Sequence, residues 1–332
     1  MKTEQGIALV NRDEDGVDRT FRENVLAGLA QPQKAIPARW LYDDVGSQLF
    51  EDITDLPEYY PTRAETEILE ARGEEFARLI GRDRAVVEFG SGSSVKTPLL
   101  LRAIEPAAYV PLDISGDFLR ESAAALAAKF PAVAVYPVEV DFMREVELPS
   151  EVLGMKKLGF FPGSTIGNMV PRTAVDLLRS MRATLRGEKG ERSLLLIGMD
   201  LVKDREVLEA AYDDSRGITG EFNLNLARRI NRELGGTIPI DALRHKAPWN
   251  DDFARIEMHL EATRHIAFEV AEQQFSMREG ETIHTENSHK FTRRSANTLL
   301  LAGGWTPLTR WTDSEERFSL ILAEATEKRD AP

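Results

Sequence analysis

Between Ala85 and Asp200 the chain alternates short apolar runs with helical patterns, and this alternation limits the fold more than any other feature. AVVEFG ends in a glycine and AYVPLDIS in an acid. VAVYPVEVDF reads as a third strand running to Asp141, KLGFFPGSTIG as a fourth and SLLLIGMD as a fifth. Apolar runs without strict alternation suit strands buried on both faces. Helical patterns fall between them, over PLLLRAI, Phe118 to Lys129 and Pro171 to Leu185. The rhythm predicts a parallel sheet with helices on both faces.

Beyond Asp200 the rhythm breaks. Glu221 to Leu234 reads as a helix, whereas IEMHLEATRHIAFEV and ETIHTENSHKF read as extended, hairpin-like strands. RRSANTLLLAGG reads as a helix closed by glycines. TPLTRWT and RFSLILAEA are close enough in sequence to pair antiparallel. Two helical patterns, Thr20 to Ala30 and Gly46 to Ile53, precede the sheet, and the first residues are polar. A discontinuous arrangement follows. Residues 63–202 and 291–332 form an α/β domain, and residues 1–62 and 203–290 form an α+β domain.

Composition narrows the function classes. The 332 residues carry 42 Lys and Arg against 55 Asp and Glu, a net charge of −13. An acidic surface repels phosphate backbones, so no nucleic-acid partner is expected. Absence of cysteine excludes disulfides, thiolate zinc sites and cysteine nucleophiles. No apolar run approaches the roughly 20 residues of a membrane span. MKTEQGIALVNRDEDG lacks the apolar core of a signal peptide. A cytoplasmic monomer without membrane contact is expected.

In EFGSGSS, Gly90 and Gly92 stand directly after a strand and before a helix, where a backbone without Cβ atoms approaches a ligand closely. Asp113 follows about 20 residues later, placed to accept hydrogen bonds from ribose hydroxyls. Asp141 and Phe142 offer an acid for an adenine amino group and a ring to stack on it. A dinucleotide site prefers a third small residue, and Val95 stands there instead. S-adenosylmethionine has no phosphate and calls for an acid near its amino acid end, for which Glu88 is placed. The terminal antiparallel strand pair agrees with a methyltransferase sheet. An NAD-dependent oxidoreductase is the more remote alternative.

The stretches KAIPARWLYDDVGSQLFEDITDLPEYYPTRAE, EFGSGSSVKT, YVPLDIS, FFPGSTIGN, GMDLVKD, YDDSRGITGEFNLN and TENSHKF occur in that order. Together they strongly resemble the histidine Nα-methyltransferases of ergothioneine biosynthesis, over nearly the whole chain from about Lys34. The resemblance implies a class I methyltransferase (Rossmann-like) domain with an added substrate-binding domain. It also implies trimethylation of L-histidine, through mono- and dimethylated intermediates, to hercynine. On the cofactor side it implies Gly90, Ser91, Lys96, Asp113, Asp141 and Phe142, with Gly163 and Thr165 near the transfer point. Tyr42 is implied near both the cofactor and the reacting amine. Asn168 is implied at the substrate's amino acid head, Tyr212 at its carboxylate, Tyr59 at the imidazole and Met258 in the side-chain pocket. Glu286 and Ser288 are implied at the ring nitrogens, while Asn287 and His289 depart from the family pattern and are expected to face away.

The chemistry is compatible with these residue types. Glu286 and Ser288, two apart on a strand, share a face. A carboxylate accepts an imidazole N–H, and a hydroxyl pairs with the other nitrogen. Asn168 has a second plausible job as the cap of the helix at Pro171. In LPEYYPTRAE the prolines stiffen the segment, and the residue before Pro61 is expected to be extended, with Tyr60 packed. Five histidines without cysteine or HExxH spacing do not read as a metal site. Trp40, Trp305 and Trp311 read as packing residues. A catalytically silent relative and a methyltransferase for another amino acid or small amine are the other readings.

Overall fold

The computed structural model describes residues 16–92, 96–114, 116–187 and 192–326, so Val95 and the polar residues before Gly16 lie outside the described residues. The chain forms two compact units. Among the described residues, the first runs from Pro61 to Val202 and resumes at Phe291. The second runs to Tyr60 and again from Lys203 to Lys290.

The first unit is built on a sheet ordered Trp305–Thr312, Phe318–Ala325, Leu194–Asp200, Lys157–Phe161, Ala85–Phe89, Ala108–Asp113. Two short strands, Ala134–Val135 and Val138–Glu139, pair with the outer side of Ala108–Asp113. Phe318–Ala325 runs antiparallel to both its neighbours, and the inner strands are parallel. The sequence suggested one continuous third strand. Pro137 interrupts it, because proline has no N–H for the ladder. The backbone pairs again on either side, with Tyr136 N–H donating to Tyr109 at 2.9 Å and Val140 N–H to Asp113 at 2.8 Å.

Alternate residues of the inner strands feed two cores. Val87, Phe89, Leu195, Ile197 and Met199 pack with Leu177, Leu178, Met181 and Leu300 on one face. Val86, Leu158, Phe160, Leu194 and Leu196 pack with Ile68, Phe76, Ile80, Leu100 and Leu101 on the other. Burial on both faces is why these strands read as continuous apolar runs. The second core includes two helices that the apolar rhythm did not predict, Tyr60–Ala71 and Gly73–Ile80. Tyr60 opens the first of them, with Pro61 in the first turn, and is not the isolated extended residue expected from the following proline.

In the second unit Thr282–His289 pairs parallel with Lys34–Ala35 and antiparallel with Arg255–Ala262, which also pairs with Leu243–Lys246 and Trp249–Asn250. Ile266–Val270 instead folds back on Gln273–Met277 in a separate hairpin. The latter strand had no apolar alternation to betray it. Phe222, Leu226 and Ile230 of the helix Ile218–Leu234 share one core with Ile256, Met258 and Leu260 of the sheet.

Candidate active site

The loops after parallel strands collect at one sheet edge, and several predicted residues stand there in the first unit. Gly90 adopts φ +73°, and a Cβ on it would lie 3.4 Å from the Phe142 ring. That conformation favours glycine, while the ring lies at ordinary van der Waals distance. Gly92 N–H donates to Asp113 Oδ2 at 3.2 Å, tying the glycine loop to the end of the next strand. Asp141 is exposed and accepts from Met143 N–H at 3.0 Å. Phe142 is held edge-on between Phe89 and Phe161.

Glu88 is fully buried beneath this loop. Its Oε2 accepts from Tyr109 Oη at 2.6 Å and Thr97 Oγ1 at 2.7 Å. Burial pushes its carboxyl up to about 7, against the two hydroxyl hydrogen bonds and the charge of Lys96. Glu88 Oε1 and Ser91 Oγ are buried without a hydrogen-bond partner among the described residues. A buried carboxylate oxygen beside a hydroxyl suits a cationic ammonium group. The residues therefore fit the amino acid end of S-adenosylmethionine.

Glu65 was missed by sequence reasoning. Its side chain is 0% exposed, and its Oε2 accepts from Lys96 Nζ at 2.6 Å and from Gly163 N–H at 2.9 Å. One buried carboxylate thus holds both the glycine-loop lysine and the turn after Lys157–Phe161. The only sequence signal was an acid in the motif YYPTRAE. Thr165 is exposed and donates to the Pro162 carbonyl at 3.2 Å, and Asn168 ends the short 3-10 helix Thr165–Asn168. Asn168 is not the cap of the next helix. Val170 holds that place, with no side-chain cap bond.

In the second unit the LYDD motif is explained by Asp43. Its Oδ1 caps the helix Asp44–Thr54 through Gly46 N–H at 2.8 Å and accepts from Asn225 Nδ2 at 2.7 Å. A Cβ on Gly46 would lie 1.8 Å from the Leu41 carbonyl, so only glycine allows this approach. Tyr42 is thereby fixed between two short helices, with its ring edge-on to Phe50 and Phe222. Tyr59 stands edge-on to Phe50 and Tyr212. The adjacent Glu58 accepts from Ser215 Oγ at 2.7 Å, anchoring the Tyr59 segment to the loop before Ile218–Leu234. Tyr60 is buried, with Lys203 Nζ donating to its hydroxyl at 2.6 Å.

Glu286 and Ser288 are both buried on Thr282–His289. Met258 is the cross-strand partner of Glu286. Tyr42 Oη donates to Glu286 Oε1 at 3.4 Å. Burial pushes the Glu286 carboxyl up to about 7, against the Tyr42 hydrogen bond and the charge of Lys290. Burial, then the neighbouring Glu286, raises the Tyr42 phenol well above its ordinary range, so it stays protonated and donates. Tyr212 Oη and Ser288 Oγ lie 2.7 Å apart. Lys290 Nζ donates to both oxygens at 2.8 Å. Lys290 continues the spacing of Glu286 and Ser288, because 286, 288 and 290 follow the period of a strand.

Asn287 alternates to the other face, where its cross-strand partner is Glu257. His289, by contrast, is buried. Among the described residues Glu257, His259 and His284 bring three possible ligand atoms within 4.8 Å. The two imidazoles stack, with centroids 4.8 Å apart and planes at 20°. Stacking sets the two ring planes nearly parallel, and Arg255 Nη2 holds Glu257 Oε1 at 2.5 Å. Burial keeps both rings below the ordinary histidine range. His259 and His284 are cross-strand neighbours.

A parallel sheet closed by an antiparallel strand next to the edge, with a glycine loop and acids after the next two strands, defines a class I methyltransferase. The model of the histidine-specific, S-adenosylmethionine-dependent methyltransferases matches residues 21–325, and the chain belongs to that family. It is 39% identical over 315 residues to histidine N-alpha-methyltransferase of Mycolicibacterium smegmatis, covering 93% of this chain and 96% of that one. It is likewise 39% identical over 317 residues to the histidine N-alpha-methyltransferase of Mycobacterium tuberculosis, with the same coverage of both chains. Ergothioneine biosynthesis protein 1 of Neurospora crassa is 30% identical over 307 residues, which span 88% of this chain and 33% of that longer one.

Proposed function

We propose that this methyltransferase trimethylates the α-amino group of L-histidine, using three molecules of S-adenosylmethionine and releasing hercynine. The pairing of buried Glu286 with Tyr42, next to Ser288 on the same strand as Glu286, carries the choice of histidine. A carboxylate and a hydroxyl two residues apart match the two nitrogens of an imidazole. We assign Tyr59 and Met258 to the walls of the ring pocket and Tyr212 to the substrate carboxylate. Asn168, whose amide both donates and accepts, is assigned to the amino acid head, and Thr165 and Gly163 to the transfer point. Glu88, Gly90, Ser91, Lys96, Asp113, Asp141 and Phe142 are assigned to the cofactor. The domain limits read from sequence are carried as cofactor-binding and substrate-binding parts. We also propose a cytoplasmic monomer with no nucleic-acid or membrane partner.

S-adenosylmethionine, when bound, supplies a methyl carbon activated by a sulfonium. The amine attacks with its lone pair, so it must be neutral, and the carbon–sulfur bond breaks as the nitrogen–carbon bond forms. After each of the first two transfers the new ammonium must lose a proton before the next. The α-amine of a free amino acid titrates not far above neutral pH and desolvation lowers it further, so solvent can take that proton without a strong dedicated base. Alignment is then the main contribution of the protein. Aromatic rings of Tyr42, Phe50, Tyr59, Tyr212 and Phe222 form a connected cluster in the second unit. Such faces suit a growing quaternary ammonium.

Mass spectrometry of the protein incubated with S-adenosylmethionine and each of the twenty amino acids tests this. Histidine gaining up to three methylene masses, with the other amino acids unchanged, is the expected result. Methylation of another amino acid in preference to histidine would replace the reading.

A further inference from the structure

We infer that Asn223 and Asn225 are positioning residues, through which the single helix Ile218–Leu234 sets the places of Tyr212 and Tyr42 for the histidine reaction. The inference rests on the substrate-side roles proposed above for those two tyrosines. The motif GEFNLN puts both asparagines inside a helix, where Asn is a weak helix former, and folding buries them, at 0% and 2% exposure. A buried amide costs stability unless its hydrogen bonds are made. The partners of the two amides lead to the two tyrosines.

Asn225 Nδ2 donates to Asp43 Oδ1 at 2.7 Å, and Arg232 Nη2 donates to Asp43 Oδ2 at 2.5 Å. Arg229 Nη1 donates to the Trp40 carbonyl at 3.1 Å, and the Phe222 ring stands edge-on to Tyr42 with centroids 5.3 Å apart. Positions 222, 225, 229 and 232 are spaced by three and four, so they form one stripe along the helix. That stripe holds the chain on both sides of Tyr42, at residues 40 and 43, and holds its ring as well. Tyr42 lies between the helices Ala38–Leu41 and Asp44–Thr54, so the reach of its hydroxyl to Glu286 depends on this grip.

Asn223 works through a histidine. Its Nδ2 donates to the His259 carbonyl at 3.1 Å, and the same nitrogen lies 2.9 Å from His245 Nδ1. A carbonyl only accepts, so the amide nitrogen faces both groups, and His245 Nδ1 is the bare ring nitrogen. The ring hydrogen is then on Nε2, which donates to the Tyr212 carbonyl at 2.8 Å. Tyr212 ends the helix Arg205–Tyr212, so His245 fixes the base of a side chain whose hydroxyl lies 2.7 Å from Ser288 Oγ. Asn223 Oδ1 is buried without a partner among the described residues. An apolar residue would not carry that penalty, so stability alone does not account for the asparagine.

Steady-state kinetics with histidine test both roles. Both tyrosines are assigned to the binding of histidine, so Asn225→Ala and Asn223→Ala should each raise KM roughly 3- to 10-fold, the loss of one hydrogen bond, with kcat changed less. A fall in kcat at constant KM, which a smaller folded fraction gives, overturns the inference for the residue concerned. Double-mutant cycles read the route. N225A should couple more strongly to Tyr42→Phe than to Tyr212→Phe, and N223A the reverse. Equal or opposite coupling overturns the inference. Should an alanine variant fail to fold, Asn225→Leu or Asn223→Leu, closer in volume, is read in the same cycles. A Y42F or Y212F protein with unchanged KM refutes the role of that tyrosine, and the positioning role falls with it. Failure of the wild-type protein to methylate histidine is a separate result, which removes the functional reading, and the cycles are then run with the amino acid that is methylated.

Discussion

Tyr42 Oη and Glu286 Oε1 lie 3.4 Å apart, the first on a partly buried and the second on a buried side chain, although 244 positions separate them in sequence. The phenol is kept protonated and the carboxyl is held near neutrality by the same burial. Histidine binding should therefore depend on pH through Glu286. The carboxylate that accepts a ring N–H forms as pH rises through about 7. Calorimetric titration with histidine should show affinity rising through that window, and Glu286→Gln should flatten it. Glu286→Ala should lower kcat/KM for histidine by roughly 10- to 100-fold, the cost of a lost charged hydrogen bond. Unchanged histidine turnover and amino acid preference in E286A would reject the assignment.

Tyr59→Phe isolates the phenol oxygen of the proline-flanked segment. The ring contacts to Phe50 and Tyr212 survive, and so does the Glu58 anchor to Ser215. Histidine affinity should fall several-fold, about 1 kcal/mol for a neutral hydrogen bond. Affinity for S-adenosylhomocysteine should not change, and equal loss of both would make the segment a structural hinge.

Lys96 and Glu65 form a buried ion pair at 2.6 Å, and Gly163 N–H donates to the same carboxylate oxygen. Removing one partner leaves a buried charge uncompensated, at about 3–5 kcal/mol. Lys96→Met should lower the melting temperature and weaken cofactor binding. The double variant with Glu65→Gln should recover part of the stability. A double-mutant cycle measures the coupling, expected to be about 1–3 kcal/mol. Strictly additive losses would mean the pair does not act as a unit.

Glu88 gives the fold a pH dependence of its own. Its carboxyl sits near 7 in the folded chain, above the ordinary value of 4.5. The folded state therefore binds more protons than the unfolded state between those values. Stability should fall as pH rises across that window and level off above it, by about 1–3 kcal/mol in all. Thermal melts from pH 5 to 8 should show a shallower slope in Glu88→Gln. Since Glu286 contributes with the same sign, part of the slope should remain.

The sequence by itself determined the periodic elements and the local motifs. Apolar runs marked Ala85–Phe89 and Leu194–Asp200 as strands because both faces of those strands are buried. The spacing of Glu286 and Ser288 placed them on one face because side chains alternate along a strand. Local pattern failed where the deciding contact was distant. Gln273–Met277 is a strand because Ile266–Val270 lies beside it, not because of its own residues. Asn168 is an attractive cap in sequence, yet the chain bends first and Val170 takes the place.

Tertiary structure alone decided which polar groups meet. Glu65 is one more acid in the sequence until folding buries it against Lys96 and Gly163. Lys290 was one more lysine until it closed the trio with Tyr212 and Ser288. Periodicity is a property of neighbouring residues and is written along the chain. The polarity of a buried hydrogen-bond network depends on which distant donors and acceptors are desolvated together, and that is fixed only when the chain folds.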